Sequence, residues 1–207
     1  MLKVDYIKTY GWEAAIRGMR NPKNSWDLSD SQRMTIPPIF KLGPKDLTLC
    51  TNLIKAGSDH RKFLRQIFIS LDITAPLYWW KEFDTYKIGT TSNSCSTMHK
   101  LCSKPFTIDD FSFEDLKTET AKTLAKKIIE VLEDKRLEAT KNVETWREIV
   151  QLLPSSYNQT RTITMDYEVA LRIYQARCNH KLTEWHTLCN AFIKELPYFM
   201  NFIEVML

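Results

Sequence analysis

The sequence predicts an α+β fold, a single globular domain over residues 1–207 in which several helices surround a small sheet. Aliphatic residues occupy alternate positions from Ile67 to Ile73, which is the period of a strand with one buried face. Apolar residues between Trp185 and Leu196 instead follow the helical repeat. A chain of 207 residues that is 43% hydrophobic is long enough to bury a substantial core.

The other elements follow from apolar periodicity and from capping residues. A short first strand is predicted over Leu2 to Ile7. Helices are predicted over Trp12 to Met19, Pro44 to Gly57, Pro76 to Phe83, Phe113 to Arg136 with Ser112 as cap, Thr145 to Leu153, Asp166 to Arg177, and Thr183 to Leu196 with Thr183 as cap. Loops are predicted over Asn21 to Gly43, which contains Pro37-Pro38, and over Ser155 to Thr162. The polar run Gly89 to Ser96 is too rich in small hydroxyl and amide groups to be ordinary core.

Composition limits the classes of partner and compartment. The net charge is +4, from 29 basic and 25 acidic residues that are scattered along the chain, so a nucleic-acid partner is not expected. Five cysteines without a CxxC pair are typical of reduced thiols. No apolar run approaches about 18 residues, so we expect no membrane partner and a cytoplasmic location.

Catalytic motifs are mostly absent from the sequence. It contains neither a P-loop nor G-x-G-x-x-G, and its four histidines form no H-x-x-x-H pair, so no metal site is predicted. Cys95 and His99 are the only candidate pair for a thiol nucleophile, and a small inert thiol is the alternative. Arg17 and Arg20 share a helix face, which is either solvated or an anion-binding pair. We therefore predict no catalytic side chain.

Three blocks of the sequence carry a resemblance to a known family. The first is Ala14-Ala15-Ile16-Arg17, and the second is Leu53-Ile54 followed by His60 and the strand Ile67 to Ile73. In the segment Tyr86 to Met98, Asn93 and Ser96 match the signature R-H-R-x-x-S-x-N-x-x-S-x-R, and Thr91 replaces its first Ser. The third block contains Leu153-Pro154, Arg177 and Glu184. Together these blocks resemble the flavin-dependent thymidylate synthase (ThyX) family.

The sequence departs from the family pattern where arginine is expected. Tyr86, Lys87 and Ile88 stand at the R-H-R positions, Met98 replaces the final Arg, and His186 stands where the family has a nucleotide-binding Arg. Arginine makes bidentate, charge-assisted contacts with phosphate that Lys or neutral His does not reproduce. Attraction for anionic ligands is therefore expected to be reduced.

The resemblance implies a ThyX-like, helix-rich α+β fold with a small antiparallel sheet and a ligand site near Ser92 to Ser96. It implies FAD held by His60, Lys87 and Asn93, a nucleotide held by Thr91, Ser96, Arg177 and His186, and methylenetetrahydrofolate as co-substrate. It also implies a homotetramer, with the exposed aromatic residues and Trp79-Trp80 as interface candidates.

Three functions stay open at this point. The chain is a divergent enzyme that methylates dUMP or a related pyrimidine nucleotide, a catalytically inactive module that binds a nucleotide without flavin chemistry, or a protein-interaction domain.

Overall fold

The structure is a computed structural model and describes residues 2–35 and 40–206, so the predicted Pro37-Pro38 turn lies outside the described residues. Its strands are β1 (Lys3–Tyr10), β2 (Gln32–Arg33), β3 (Phe40–Lys41), β4 (Phe68–Pro76), β5 (Thr90–Ser94) and β6 (Asn158–Asp166). Its α-helices are α1 (Trp12–Arg20), α2 (Pro44–Lys55), α3 (Leu77–Phe83), α4 (Thr97–Lys100), α5 (Glu119–Ala139), α6 (Val143–Leu152), α7 (Tyr167–Arg177), α8 (Thr183–Glu195) and α9 (Phe199–Ile203).

The main sheet is small and antiparallel, with the strand order β1-β4-β6-β5. Strands β2 and β3 form a separate antiparallel ribbon in which Arg33 pairs with Phe40. The predicted α+β class, helix-rich with a small antiparallel sheet, is confirmed.

The chain divides into two compact units. Unit 1 consists of residues 2–3, 72–85 and 92–162, and unit 2 consists of residues 4–71, 86–91 and 163–206 within the described ranges. The division falls within all four strands of the main sheet, so each of them begins in one unit and ends in the other. The predicted single domain over residues 1–207 remains a prediction.

Aromatic rings form the centre of unit 2. The ring of Tyr167 meets that of Trp12 edge-on with centroids 5.1 Å apart and also meets the ring of Phe202. The Tyr167 hydroxyl donates a hydrogen bond to the carbonyl of Pro197 at 2.9 Å, so the buried polar end of this ring is satisfied. This packing joins α1, α7 and α9 around one core.

A fully buried carboxylate fixes the entry to α2 in unit 2. Asp46 is 0% exposed and accepts hydrogen bonds from Arg20 Nε at 2.7 Å, from Ser29 Oγ at 2.7 Å and from Ser31 Oγ at 2.6 Å. Burial raises the pKa of Asp46, but these hydrogen bonds and the Arg20 charge outweigh burial and hold the pKa below its ordinary value. Asp46 therefore ties α1 and residues 29–31 to α2.

The carboxylate of Asp30 caps the same helix. Its two oxygens accept hydrogen bonds from the backbone N–H groups of Lys45 and Asp46. A Cβ at Gly43 would lie only 2.2 Å from the Asp30 side chain, so this close approach requires glycine.

Unit 1 has its own core, and Trp79 and Trp80 belong to it. Both indole rings are essentially unexposed, and Trp79 stacks on Phe83 at 5.2 Å between centroids. Arg161 lies over Trp80 at 4.1 Å and pairs with Asp84 at 2.8 Å. The prediction that Trp79-Trp80 serve an interface is therefore wrong, because these rings are buried inside the chain. A second cluster packs α5 and α6 onto Phe106 and Phe111.

Several predicted elements are confirmed, with end points that differ by a few residues. Strand β4, helices α1 and α2, and the Asp166 cap of α7 occur as expected. The sequence also correctly predicts α6 and α8, although Thr183 makes no capping bond.

One predicted loop and two predicted caps are wrong. The residue at the cap position of α8 is Leu182 rather than Thr183. Residues 158–162, predicted as part of a loop, belong to strand β6, and the polar run contains strand β5. Their hydroxyls bond across the sheet, as Thr74 Oγ1 does with Thr160 Oγ1 at 2.7 Å, so polar residues are satisfied there. Helix α5 begins at Glu119 with Thr118 as its cap, while Ser112 instead donates to Asn158 Oδ1.

We expect Asp46→Asn to lower the free energy of unfolding by about 3–5 kcal/mol near neutral pH, because Arg20 then stays buried without its counter-charge. The folded-state pKa of Asp46 is lowered, so its contribution is present above its ordinary pKa of 3.8 and is lost as the pH falls below that value. Urea unfolding at neutral and acidic pH measures both effects. Asp27→Asn, at an exposed position with the same loss of charge, is the control and should change stability by less than about 0.5 kcal/mol. Equal effects of the two variants would contradict the prediction.

Candidate functional site

The best-defined cluster of candidate residues lies in unit 2, around the end of α7 and the start of α8. Arg177 is half-buried, and its guanidinium carbon lies 4.9 Å from the centre of the Trp185 ring. Arg177 Nε donates a hydrogen bond to the Tyr86 hydroxyl at 3.0 Å, and the Tyr86 ring meets Trp185 edge-on at 5.9 Å. We call Tyr86, Arg177 and Trp185 the arginine cluster. It fixes one cation between two aromatic residues.

His186 follows the arginine cluster in α8 and carries an unsatisfied polar atom. Its Nε2 is buried and has no hydrogen-bond partner among the described residues. A buried polar atom without a partner costs free energy, which a ligand that supplies the partner would recover. His186 is therefore the predicted site residue with the clearest structural mark of ligand binding.

Three further predicted site residues, Lys87, Thr91 and His60, are exposed residues of unit 2. Lys87 follows Tyr86 of the arginine cluster along the chain, and Thr91 lies in β5. No hydrogen bond or ion pair engages their side chains among the described residues, so these side chains are available to a ligand. His60 precedes Arg61, which makes a bidentate ion pair with Glu168 of α7 at distances down to 2.7 Å. That ion pair attaches the turn containing His60 to α7.

Asn93 and Ser96 belong to unit 1, where they have different surroundings. Asn93 is exposed in β5. Ser96 is the N-cap of α4, and its Oγ accepts hydrogen bonds from the backbone N–H groups of Met98 and His99. The hydroxyl oxygen of Ser96 therefore caps the start of α4. The structure brings Arg177 together with Tyr86 and Trp185, and the assignment of all seven ligand-contacting residues remains a prediction.

Asp166 forms a second polar feature of unit 2, next to Gly89. Its Oδ1 accepts the Val169 N–H as the cap of α7, and its own N–H donates to the Gly89 carbonyl. Gly89 has φ of 79°, and a Cβ there would lie 2.9 Å from Asp166 Oδ2. Burial raises the pKa of Asp166 above its ordinary value. Asp166 therefore links the start of α7 to the turn between Lys87 and Thr91.

Sequence patterns assign no functional role to Tyr86, Trp185 or Asp166. They identify Tyr86 as a departure from the family signature, Trp185 as part of an apolar stripe, and Asp166 as a cap. Tyr86 stands at a position where the family signature has arginine. Nothing in the sequence around Tyr86 indicates that its hydroxyl contacts Arg177, which is 91 residues further along the chain.

Other classes of site find little support in the described part of the chain. Among residues 2–35 and 40–206, no three His, Cys, Asp or Glu side chains are grouped so that they could hold a metal ion. None of the described helices combines the length and apolar character needed to cross a membrane. Cys95 and His99 are both exposed, and no hydrogen bond joins their side chains.

Comparison with known proteins identifies the fold. No family model matches the sequence, and no curated protein matches it. The structure is similar to Helicobacter pylori thymidylate synthase X (ThyX) with FAD and dUMP, with a TM-score of 0.74 and 15% identity over 100% of this chain and 99% of that one. A second structure of Helicobacter pylori ThyX complexed with FAD and dUMP gives a TM-score of 0.72 and 16% identity over 99% of this chain and 100% of that one.

A related methylase has the same fold. The UMP/dUMP methylase PolB from Streptomyces cacaoi, bound with 5-Br dUMP, gives a TM-score of 0.63 and 10% identity over 100% of this chain and 93% of that one. These likenesses extend over the whole chain and establish a ThyX-like fold, as the resemblance implied.

We expect Asp166→Asn to keep the cap of α7 while removing a buried charge. Because the folded-state pKa of Asp166 is raised, its ionisation opposes folding, and stability falls as the pH rises from the acid range through that pKa. The Asn variant should therefore be at least as stable as the native chain at neutral pH and should lack this slope. Asp166→Ala loses the capping bond and should cost about 1 kcal/mol. Thermal unfolding of both variants across the acid range tests this, and a less stable Asn variant at neutral pH would contradict it.

Proposed function

We propose that the chain is a divergent flavin-dependent enzyme of the thymidylate synthase type, which methylates dUMP or a related pyrimidine nucleotide with methylenetetrahydrofolate and FAD. The observation that carries the proposal is the arginine cluster followed in α8 by the unsatisfied Nε2 of His186. The full-length likeness to ThyX structures with FAD and dUMP, and to a UMP/dUMP methylase, supports the same class of ligand.

The proposed nucleotide contacts rest on charge and on available donors. A nucleotide phosphate is a dianion that guanidinium and ammonium groups bind through charge-assisted hydrogen bonds. Arg177 is held in one orientation by Trp185 and Tyr86, so little side-chain entropy is lost when it binds an anion. His186 donates or accepts at Nε2 according to its tautomer, and it suits either a phosphate oxygen or a pyrimidine edge. Thr91 and Ser96 complete the proposed set.

The residues proposed for the flavin fit its chemistry as donors. His60, Lys87 and Asn93 are exposed and offer an imidazole, an ammonium and an amide, which suit pyrophosphate oxygens and the polar edge of a flavin ring. FAD, when bound, supplies the hydride that reduces the transferred one-carbon unit. The chain's own residues bind and orient the nucleotide, and Tyr86 positions Arg177 through its hydroxyl.

A second candidate function is a nucleotide-binding module without flavin chemistry. At the three positions where the family signature has R-H-R, Tyr86 packs within the arginine cluster, Lys87 is the only cation, and Ile88 is an apolar side chain that is 89% exposed. This loss of cationic donors weakens the flavin contacts more than the nucleotide contacts, because Arg177 is retained.

The proposed assembly is a homotetramer. Its support is the resemblance to the family alone, since Trp79 and Trp80 lie in the core of unit 1. Light scattering of the purified chain tests this proposal.

The flavin proposal predicts a yellow protein. After purification under native conditions, or after incubation with FAD and desalting, the enzyme should show a visible flavin absorption band and convert dUMP to a methylated product when methylenetetrahydrofolate and a reductant are added. Lys87→Ala should lower flavin retention. A colourless protein that still binds dUMP would instead support the flavin-free module.

The nucleotide proposal predicts a specific effect of His186→Ala. Loss of a hydrogen bond to a charged group should weaken dUMP binding roughly tenfold to a hundredfold, measured by calorimetry. Thermal stability should hardly change, because Nε2 has no partner to lose among the described residues.

His99→Ala provides the matched control for that experiment, since this imidazole is exposed and belongs to unit 1. Equal affinity of native protein and His186→Ala would remove His186 from the site.

A further inference from the structure

Unit 2 contains a cavity whose lining includes no residue of the arginine cluster. It has a volume of about 230 Å³ and is lined by α1, by residues 26–33 and by Phe40. Three arginines, Arg17, Arg20 and Arg33, line it, whereas Glu13 is the acidic residue of the lining. None of these residues belongs to the proposed nucleotide or flavin contacts.

Arg20 is the fixed cation of this cavity. It is 5% exposed, its Nε donates to Asp46, and its Nη1 donates to the Ser25 carbonyl at 3.1 Å. Its other terminal nitrogen, Nη2, makes no hydrogen bond among the described residues. Because Arg20 lines the cavity, we infer that this remaining donor edge is directed into it.

Arg17 is held at the cavity by an aromatic residue rather than by a carboxylate. It is one helical turn from Glu13, yet no ion pair joins them, and its guanidinium carbon instead lies 5.6 Å from the centre of the Trp26 ring. The Trp26 indole is in turn fixed by a hydrogen bond from Nε1 to Asn21 Oδ1 at 2.8 Å. Stacking uses the face of a guanidinium and leaves its N–H edge available for an anion.

Arg33 adds a third cation beside an apolar wall. It pairs with Phe40 across the β2–β3 ribbon, so both side chains lie on the same face of the ribbon and both line the cavity. Arg33 has no ion-pair partner among the described residues. Phe40 and Ile16 supply apolar surface next to these charges.

We propose that this cavity binds a small aromatic oxyanion, a carboxylate or phosphate carried on a single planar ring. The guanidinium groups match the paired oxygens of such an anion, and Phe40 and Ile16 contact its ring. The volume of 230 Å³ exceeds the roughly 150 Å³ that accommodates benzene, and it is below the roughly 300 Å³ at which pockets for drug-sized ligands begin. The site therefore takes a one-ring ligand rather than a dinucleotide.

Calorimetric titration of the full chain with benzoate and with phenyl phosphate tests the proposal and separates the two kinds of oxyanion. At least one should bind with a millimolar or lower Kd. Benzamide, which lacks the charge, and cyclohexanecarboxylate, which lacks the planar ring, should each bind at least about tenfold more weakly. Failure of both oxyanions to bind, or equal binding of benzamide, would overturn the proposal.

Variants locate the binding in the cavity. Arg17→Ala with Arg33→Ala removes two exposed cations and should weaken the oxyanion at least about tenfold. Glu13→Gln should strengthen it, because a repelling carboxylate is removed. Lys55→Ala with Arg172→Ala removes the same charge at exposed positions outside the cavity and should leave the affinity unchanged.

Binding of dUMP should persist in the Arg17/Arg33 variant, which separates this site from the proposed nucleotide site. Unchanged oxyanion affinity in that variant, or an equal loss in the Lys55/Arg172 control, would place the ligand elsewhere and overturn the proposal.

Discussion

The packing of α1 and of residues 29–31 against α2 depends on the buried ion pair of Arg20 and Asp46. Burying an ionised carboxylate costs much free energy unless its oxygens accept hydrogen bonds. The oxygens of Asp46 accept them from the guanidinium of Arg20, from the hydroxyls of Ser29 and Ser31, and from the backbone N–H groups of Asp30 and Ser31. Because these donors come from α1 and from residues 29–31, satisfying one charge fixes the positions of both segments against α2. Residues 29–31 are thus positioned by hydrogen bonds to a buried carboxylate.

The sequence predicts those helices and strands whose apolar pattern or capping residue also matches the packing that the structure shows. The aliphatic alternation of β4 and the aspartate cap of α7 are visible without any tertiary information, because the residues that set the pattern are neighbours in the chain. The first half of strand β6 is not predicted, because the polar residues Asn158, Thr160 and Thr162 are typical of a loop. Their polar groups are satisfied by Ser112, Thr74 and Asp72, which are distant in sequence. Such long-range partners decide whether a polar run is a loop or a strand.

The candidate site shows the same limit. The spacing of the family signature predicts Lys87, Asn93 and Ser96 as site residues. That spacing carries no information about which residues of α7 and α8 lie beside the signature segment. The contact between Tyr86 and Arg177 spans residues far apart in the chain, and it shows what the tyrosine does at a position where arginine was expected. A position that looks degraded in the sequence therefore contributes to holding the arginine that remains.

Among the described residues, an arginine lies over a tryptophan ring at three places, and the other contacts of the arginine differ from place to place. Arg161 lies 4.1 Å above Trp80, donates to Gln159 and pairs with Asp84, so its donors are committed within unit 1. Arg177 lies over Trp185 at 4.9 Å, and its Nε donates a hydrogen bond to the hydroxyl of Tyr86.

Arg17, at 5.6 Å from Trp26, makes no hydrogen bond or ion pair among the described residues. An aromatic face orients a cation without neutralising it, whereas a carboxylate does both. Arg17 is therefore oriented by an aromatic ring while its charge stays available to an anion, which is what the cavity proposed above requires of it.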